Sequence, residues 1–183
     1  MYVQSENIVV RGFVREDAAR LYSIVREPGV RRFMPDWAEG YSCPQDYHPL
    51  IDWFIKQQDQ TDISIGRRYV VALPEGGEMI GVVGVGLEET LNEVEVAYFM
   101  AEAYQRKGYM KEAVDNLVDW CFKVSEIPYL ILTIDCANGP SNALAEKCGF
   151  RLFERRTPIG HKQPNMESDD YFYYRKHNGK SHD

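Results

Sequence analysis

The sequence predicts an α/β (α+β) fold in which short strands alternate with amphipathic helices, and three observations support this prediction. The chain has 183 residues, which suits one domain with a sizeable core. Hydrophobic residues make up 44% and charged residues 27%, as in ordinary globular proteins. Strand-like and helix-like patterns then follow one another along the chain. We expect one domain over residues 1–183, with a core over about 8–176 and a frayed tail over 178–183.

Runs rich in β-branched or aromatic residues predict the strands. In chain order they cover residues 7–13, 67–73, 79–87, 92–100, 129–134, 150–156 and 171–176. A Gly-rich turn over residues 74–78 joins the second strand to the third, which predicts an antiparallel hairpin. The strand over 129–134 is almost continuously apolar, which is typical of burial on both faces. Gly81, Gly84 and Gly86 lie inside a strand and indicate a bulge or a crowded face.

Apolar residues at a spacing of three and four predict the helices. They cover residues 15–27, 44–60, 109–125 and 141–148. Pro28 and Gly29 end the first helix, and Gly149 is suited to cap the last. The helix over 109–125 has the widest apolar stripe, so we expect it to pack on the sheet.

Charge and composition exclude several classes of function. The chain has 21 Lys and Arg against 28 Asp and Glu, a net charge of −7, which argues against broad binding to nucleic acid or anionic lipid. No apolar stretch approaches the ~20 residues of a membrane span, and the first residues do not resemble a secretory signal. The four cysteines and four histidines lack metal-ligand spacing, so we expect reduced, mostly buried thiols and no metal. A cytoplasmic protein is the resulting expectation.

The most informative stretch is a strand, a turn and a helix start between residues 94 and 113. The first N–H groups of a helix lack internal partners and carry partial positive charge, so such a start binds anions. Arg106 and Lys107 add charge beside Gly108. A phosphate or pyrophosphate held by the backbone amides of residues 106–111 explains this pattern, and an ordinary surface turn with two solvated bases explains it equally well.

Two segments resemble a known family. Residues 105–110, Gln-Arg-Lys-Gly-Tyr-Met, resemble the Q/R-x-x-G-x-G/A turn of the GNAT superfamily of N-acetyltransferases, although Met110 replaces a small residue. Residues 138–150 resemble the N-x-x-S-x-x-x-x-E-K-x-G-F segment of its ribosomal-protein N-terminal acetyltransferase (RimJ/RimL-like) branch. The opening of the chain, with Arg11, Asp17 and Ala18, is similar to the start of that branch. The resemblance therefore extends over residues 8–176.

The resemblance implies a GNAT fold: a mixed, mostly antiparallel central sheet with helices on both faces and a splay between the fourth and fifth strands. Acetyl-CoA would enter that splay. Its pantetheine arm would pair with backbone groups near Phe99 and Met100, and Asn138 would bond to the arm or nearby. The residues implied for the pyrophosphate are Gln105, Arg106, Lys107, Gly108, Tyr109 and Met110.

Acetyl transfer to an amine needs a base and a proton for the leaving thiolate. Alternation along the strand places Glu93, Glu95, Ala97 and Phe99 on one face. Glu95 occupies the family's E-x-x-Y position and is favoured as the base, although two solvated strand charges also explain the pattern. The tyrosine that many relatives use as the acid is replaced by Ala145. The resemblance implies Ser141 as the donor instead, and a helix N-cap is the alternative role for this serine.

The expected function is acetyl-CoA-dependent transfer of an acetyl group to a primary amine, directly in a ternary complex. The acceptor is a protein N-terminus or a small amine, and a non-catalytic acyl-CoA-binding module is the alternative. The family's acceptor side corresponds here to residues 30–48 and 157–170, and the aromatic run 171–174 is a further candidate for the acceptor cleft. Its acidic and aromatic members would favour a cationic amine, but an ordinary acidic surface fits equally well; they include Asp36, Trp37, Glu39, Tyr41 and the acidic run 167–170. A homodimer is left open.

Overall fold

A computed structural model describes residues 1–157 and 170–179 of the chain. Within them, eight strands form one sheet in the order β1-β2-β3-β4-β5-β6-β8-β7. Adjacent strands are antiparallel except for β5 and β6, which run parallel. The strands are β1 (Val3–Gln4), β2 (Val9–Arg11), β3 (Arg67–Ala72), β4 (Met79–Glu88), β5 (Glu93–Met100), β6 (Tyr129–Asp135), β7 (Arg151–Arg156) and β8 (Tyr171–His177).

The seven predicted strands are confirmed with small shifts at their ends, and β1 is an addition at the sheet edge. The helices are α1 (Ala18–Ile24), α2 (Pro28–Arg31), α3 (His48–Gln57), α4 (Tyr109–Val124) and α5 (Gly139–Lys147). Both of the first two predicted helices begin with a 3-10 turn and are shorter than expected. Pro28 also begins a helix of its own, because its fixed φ suits the first helical position.

Helices cover both faces of the sheet, as predicted. Along β3, Tyr69 and Val71 pack in the core beneath α4, whereas Val70 and Ala72 pack with α1 and α3. This alternation is the two-residue period of a strand. The α4 stripe that meets the sheet is fully buried at Ala113, Val114, Leu117 and Val118, which explains why its periodicity was so clear in the sequence.

The glycines of β4 mark both a bulge and crowding. The register of β3 against β4 shifts between Val71 and Ala72, opposite Gly81. A Cβ on Gly84 would lie 2.3 Å from the Arg67 carbonyl oxygen and 2.3 Å from Arg68 Cδ. Arg68 therefore lies across bare backbone on the α1–α3 face of the sheet, and only glycine opposite it leaves that space.

Cysteine burial agrees only partly with expectation. Cys121 and Cys148 are buried, whereas Cys43 and Cys136 are half-buried. Burial raises the pKa of the Cys148 thiol to about 11 and that of Cys121 to about 12, so neither is a ready nucleophile. Over residues 1–157 and 170–179, no three His, Cys, Asp or Glu side chains are grouped to hold a metal ion. The helices in these ranges are also too short or too polar to cross a membrane.

Candidate active site

The site is a cleft that opens where β5 and β6 part. These two parallel strands pair in register at Glu95 and Ile131, near the start of β5, and diverge beyond that point. The cleft between them has a volume of about 1800 Å³. Its walls include residues 95–100 of β5 and residues 132–135 of β6. The predicted splay between the fourth and fifth strands of the family sheet is thus confirmed as the β5–β6 divergence.

One end of the cleft is the turn between β5 and α4. The Gln105 side chain folds back, and its Nε2 donates to the Met100 carbonyl oxygen at 2.9 Å. Arg106 has φ +63° and Gly108 has φ +88°, so two left-handed residues turn the chain into the helix. Gly108 is the N-cap of α4 and provides no side-chain cap. The first N–H groups of α4 are therefore free of the cap that a polar side chain would supply.

Met110, the departure from the family turn, packs in the core beneath α4. Its side chain is 7% exposed, and its Cε would lie 3.3 Å from a Cβ on Gly81. Gly81 on β4 thus makes the space that the larger side chain needs. Residues 108–111 still line the cleft.

The predicted cofactor-binding residues line this cleft with one exception. Phe99, Met100, Gln105, Arg106, Gly108, Tyr109, Met110 and Asn138 all contribute to its walls. Lys107 does not line it, and its ammonium lies 5.2 Å from the centre of the Tyr104 ring. Lys111 and Lys147 are further cations in the lining that the sequence analysis did not single out, and Lys111 Nζ pairs with Asp115 at 2.6 Å.

Glu95 is half-buried in the cleft wall. Its Oε1 accepts hydrogen bonds from the Thr133 backbone N–H, at 3.0 Å, and from the Thr133 hydroxyl. Burial raises the pKa of the Glu95 carboxyl, and the Thr133 hydrogen bonds and the Arg68 charge oppose that rise only in part. A carboxylate with a raised pKa beside a cleft is a suitable proton acceptor.

Glu93 has a different environment, although it lies on the same face of β5. It accepts hydrogen bonds from the hydroxyls of Tyr129 and Tyr173, at 2.7 Å and 2.6 Å, and Arg175 lies 3.2 Å away. Burial acts against the charge, but these partners outweigh it and lower the pKa of Glu93. Glu93 therefore joins β5 to the β6–β8 part of the sheet as a stable carboxylate, and it is not among the residues that line the cleft.

Ser141 is not the helix cap that the alternative interpretation required. Asn138 is the N-cap of α5, and its Oδ1 accepts from the Ser141 backbone N–H at 3.3 Å. The cap interpretation of Ser141 is wrong because the helix begins at Gly139, two residues earlier than predicted. The Ser141 hydroxyl is thereby left for a contact across the cleft: its Oγ lies 2.9 Å from the Tyr98 hydroxyl of β5.

Tyr98, Thr133 and Arg68 are three further cleft residues to which sequence reasoning gave no role. Alternation assigned Tyr98 to the face opposite Glu95, but both faces of β5 border the cleft where its neighbour diverges. Arg68 Nη1 donates to the carbonyls of Arg67 and Val85, at 2.9 Å and 3.2 Å. The sequence feature that indicated a role for Arg68 was the pair of glycines Gly84 and Gly86 on the neighbouring strand β4.

The predicted acceptor side is partly assembled. Asp36 and Trp37 line the cleft, and Tyr41 lines a smaller pocket beside it. From the aromatic run 171–174, Tyr171 and Tyr173 reach the cleft, whereas the Tyr174 hydroxyl donates to Asn142. Of the predicted acidic loop, residues 158–169 lie outside the described residues, and Asp170 pairs with Arg155 at 2.6 Å. Glu39 does not line the cleft.

Comparisons with known proteins agree with this geometry. Residues 7–151 match the family described as "Acetyltransferase (GNAT) domain". YdaF of Bacillus subtilis (strain 168), whose name provisionally describes a ribosomal N-acetyltransferase, is 25% identical over 175 residues, covering 92% of this chain and 91% of its own.

Solved structures share the fold across nearly the whole chain. The ribosomal-protein-S5-alanine acetyltransferase of Vibrio fischeri superposes with a TM-score of 0.80 at 18% identity, over 98% of this chain and 97% of its own. RimL, a ribosomal L7/L12 alpha-N-protein acetyltransferase solved with coenzyme A, superposes with a TM-score of 0.79 at 16% identity. The superposition covers 98% of this chain and 100% of RimL. With the family match over most of its length, this chain belongs to the GNAT acetyltransferase family.

Proposed function

We propose that this chain transfers an acetyl group from acetyl-CoA to a primary amine, directly within a ternary complex. The acceptor amine is a protein N-terminus or a small molecule. One observation carries the proposal: a single cleft between β5 and β6 has an uncapped helix start and a half-buried carboxylate in its walls. The first suits an anionic cofactor and the second suits an amine that must lose a proton.

Three features of the described residues fit acetyl-CoA. The Gly108 turn and the Arg106 cation suit a pyrophosphate. The diverging strand ends suit an extended arm that carries amide groups. Asp135 lines the cleft and is 7% exposed, and its Oδ2 has no hydrogen-bond partner among the described residues. A buried acceptor without a donor is costly, and an amide N–H or hydroxyl of the arm would satisfy it.

Acetyl-CoA supplies the activated acetyl group as a thioester, and the chain's own residues manage the protons. The carbon–sulfur bond breaks, a carbon–nitrogen bond forms, the amine loses one proton, and CoA leaves as its thiolate. Glu95 Oε accepts that proton, directly or through water. An N-terminal amine, with a pKa of about 8, needs this help less than a lysine-like amine at about 10.4.

Ser141 acts on the leaving sulfur, and Tyr98 acts through Ser141. When the Tyr98 hydroxyl donates to Ser141 Oγ, the Ser141 proton is free to point into the cleft. Burial raises the pKa of Tyr98, so its hydroxyl stays protonated throughout the working range of pH. Ser141 is thus proposed as the hydrogen-bond donor to the sulfur, and Tyr98 as the residue that positions it.

Two measurements on the purified chain test the function. We expect acetyl-CoA and CoA at millimolar concentration to raise the melting temperature, and we expect CoA release with at least one member of a broad panel of amines and peptides. Stabilisation without CoA release from any acceptor would favour the non-catalytic acyl-CoA-binding module. The absence of both would contradict the proposal.

Gly108 provides a test of the anion end of the cleft. Gly108→Ala is expected to weaken acetyl-CoA binding about fivefold or more, because a left-handed residue with a Cβ costs roughly 1–2 kcal/mol and the turn relaxes away from that geometry. Gly76→Ala is the matched control, with φ +73°, open space around it and no place in the cleft. Calorimetric titration should show weakened binding for Gly108→Ala alone, and equal affinities in both variants would contradict the assignment.

A double-mutant cycle tests the Ser141–Tyr98 pair. Ser141→Ala is expected to lower kcat roughly 10- to 100-fold with little change in KM, because a donor to the leaving group acts in the transition state. Tyr98→Phe should lower kcat less, and the double variant should match Ser141→Ala alone, since Tyr98 acts through Ser141. Additive losses would show that the two hydroxyls act independently.

A further inference from the structure

A second, smaller pocket opens beside the acceptor end of the cleft. Its volume is about 270 Å³, and it shares Asp36, Trp37 and Arg68 with the main cleft. Whole-ligand pockets typically have about 300–1,000 Å³, so this pocket has the size for one side group of a ligand. We call it the aromatic slot, because Trp37, Tyr41, Trp53 and Phe54 form its walls.

The slot is built from rings that hold one another in place. Phe54 stacks on Trp37 at 6.0 Å between ring centres and meets Trp53 edge-on at 5.5 Å. Trp37 in turn packs edge-on against Phe99 of β5 at 4.9 Å, which connects the slot to the strand that lines the cleft. Trp53 remains 41% exposed beside it. An exposed indole in a preformed aromatic wall indicates a surface that gains from covering by another ring.

Charges at the junction of slot and cleft indicate what that ring is attached to. Arg68 Nη1 donates to two backbone carbonyls, and within residues 1–157 and 170–179 its Nε and Nη2 make no hydrogen bond. Glu95, which interacts with the Arg68 charge, is the proposed proton acceptor for the amine. An amine at Glu95 and a carbonyl or carboxylate at Arg68 are the two polar groups that flank an α-carbon.

We infer that the acceptor is a primary α-amine whose α-carbon carries an aromatic side chain, with the ring in the aromatic slot and the adjoining carbonyl at Arg68. The inference rests on the proposed function and adds the class of acceptor. A free aromatic amino acid and a peptide with an aromatic first residue share this chemistry.

The test compares acceptors that differ only in the side chain, at saturating acetyl-CoA and with CoA release as the readout. We expect kcat/KM for phenylalanine amide to exceed that for alanine amide about tenfold or more, mainly through KM. Phenylalanine and a Phe-Ala dipeptide separate the two sources: preference for the free acid identifies an amino acid, and preference for the dipeptide identifies a peptide. Equal kcat/KM values for alanine amide and phenylalanine amide overturn the inference.

Variants of Trp53 locate the effect. Trp53→Ala should lower kcat/KM for phenylalanine amide towards the value for alanine amide. Trp53→Phe should keep most of the preference for phenylalanine amide. Tyr2→Ala is the control, because Tyr2 is an aromatic residue that is 66% exposed next to the edge strand β1 and lines neither pocket. Calorimetric titration of N-acetyl-phenylalanine amide into the CoA-loaded protein should show a weaker affinity for Trp53→Ala and an unchanged affinity for Tyr2→Ala.

These outcomes separate the two proposals. If no amine in a broad panel releases CoA, the proposed function fails. If amines are acetylated without preference for an aromatic side chain, or if Trp53→Ala keeps the preference, the function stands and the aromatic slot is not the acceptor site.

Discussion

Replacing Glu95 with glutamine is expected to lower kcat about 10²- to 10⁴-fold, the range that a positioned general base contributes. Glutamine keeps the oxygen that accepts from Thr133, so the local hydrogen bonds survive and only the proton acceptor is lost. In the unaltered chain, kcat/KM should rise with pH through the raised pKa of Glu95, since only the carboxylate accepts a proton. That acidic limb should lie above the ordinary glutamate range and should vanish in the variant.

The same shift predicts the sign of the stability change. The pKa of Glu95 is higher in the folded state than in the unfolded state. Glu95 therefore contributes fully to stability when the pH is below its unfolded-state pKa, and this contribution is lost as the pH rises through its folded-state pKa. At pH 7 the carboxylate is therefore a cost, and Glu95→Gln should be at least as stable as the unaltered chain. Thermal melts at pH 5 and pH 7 check this.

Glu93→Gln is the matched control on the same strand. The pKa of Glu93 is lowered, so its stabilisation is present at neutral pH and is lost as pH falls. This variant should lose stability at pH 7 and should retain the acidic limb of the rate profile. If Glu93→Gln removes the limb and Glu95→Gln keeps it, the assignment of the base is reversed.

Gly84→Ala is expected to destabilise the chain by about 3 kcal/mol, at the upper end of the usual cost of overpacking. The added Cβ meets a backbone oxygen at 2.3 Å, and backbone in a sheet cannot move aside as a side-chain tip can. The melting temperature should fall by roughly 6–12 °C. Because Arg68 lies across this glycine, the variant should also weaken acceptor binding.

Gly139→Ala is the corresponding control. Gly139 is the first residue of α5, and no atom lies within 4 Å of where its Cβ would be. This substitution should leave stability unchanged or raise it slightly, because alanine loses less entropy in a helix. Equal destabilisation by both substitutions would show that crowding at Gly84 is not the cause.

The sequence predicted the parts of the fold that depend on local pattern. The α4 stripe and the strands follow from periodicity, and the turn before α4 follows from the end of one pattern and the start of the next. These predictions were confirmed in position. The divergence of β5 from β6 was predicted only from the family resemblance, because strand separation is set by packing and not by the sequence of either strand.

The missed site residues have tertiary causes. Tyr98 reaches Ser141 only because β6 leaves β5 at that point. Thr133 contacts Glu95 through the register of β5 and β6, and the two residues are 38 positions apart in the sequence. Trp53 was assigned to no functional role, since a helix pattern does not tell which exposed ring borders a cleft. Arg68 had a readable signal, because a charged residue within an apolar strand faces glycines on another.

Hydrogen–deuterium exchange with and without acetyl-CoA tests the central claim most directly, namely that the cofactor binds where β5 and β6 diverge. With binding established separately by calorimetry, we predict slower exchange in peptides that cover residues 97–111 and 132–141. Peptides from β1 and from the turn over 74–78 should not change. Bound acetyl-CoA without protection at 97–111, or with protection confined to other segments, would contradict the claim.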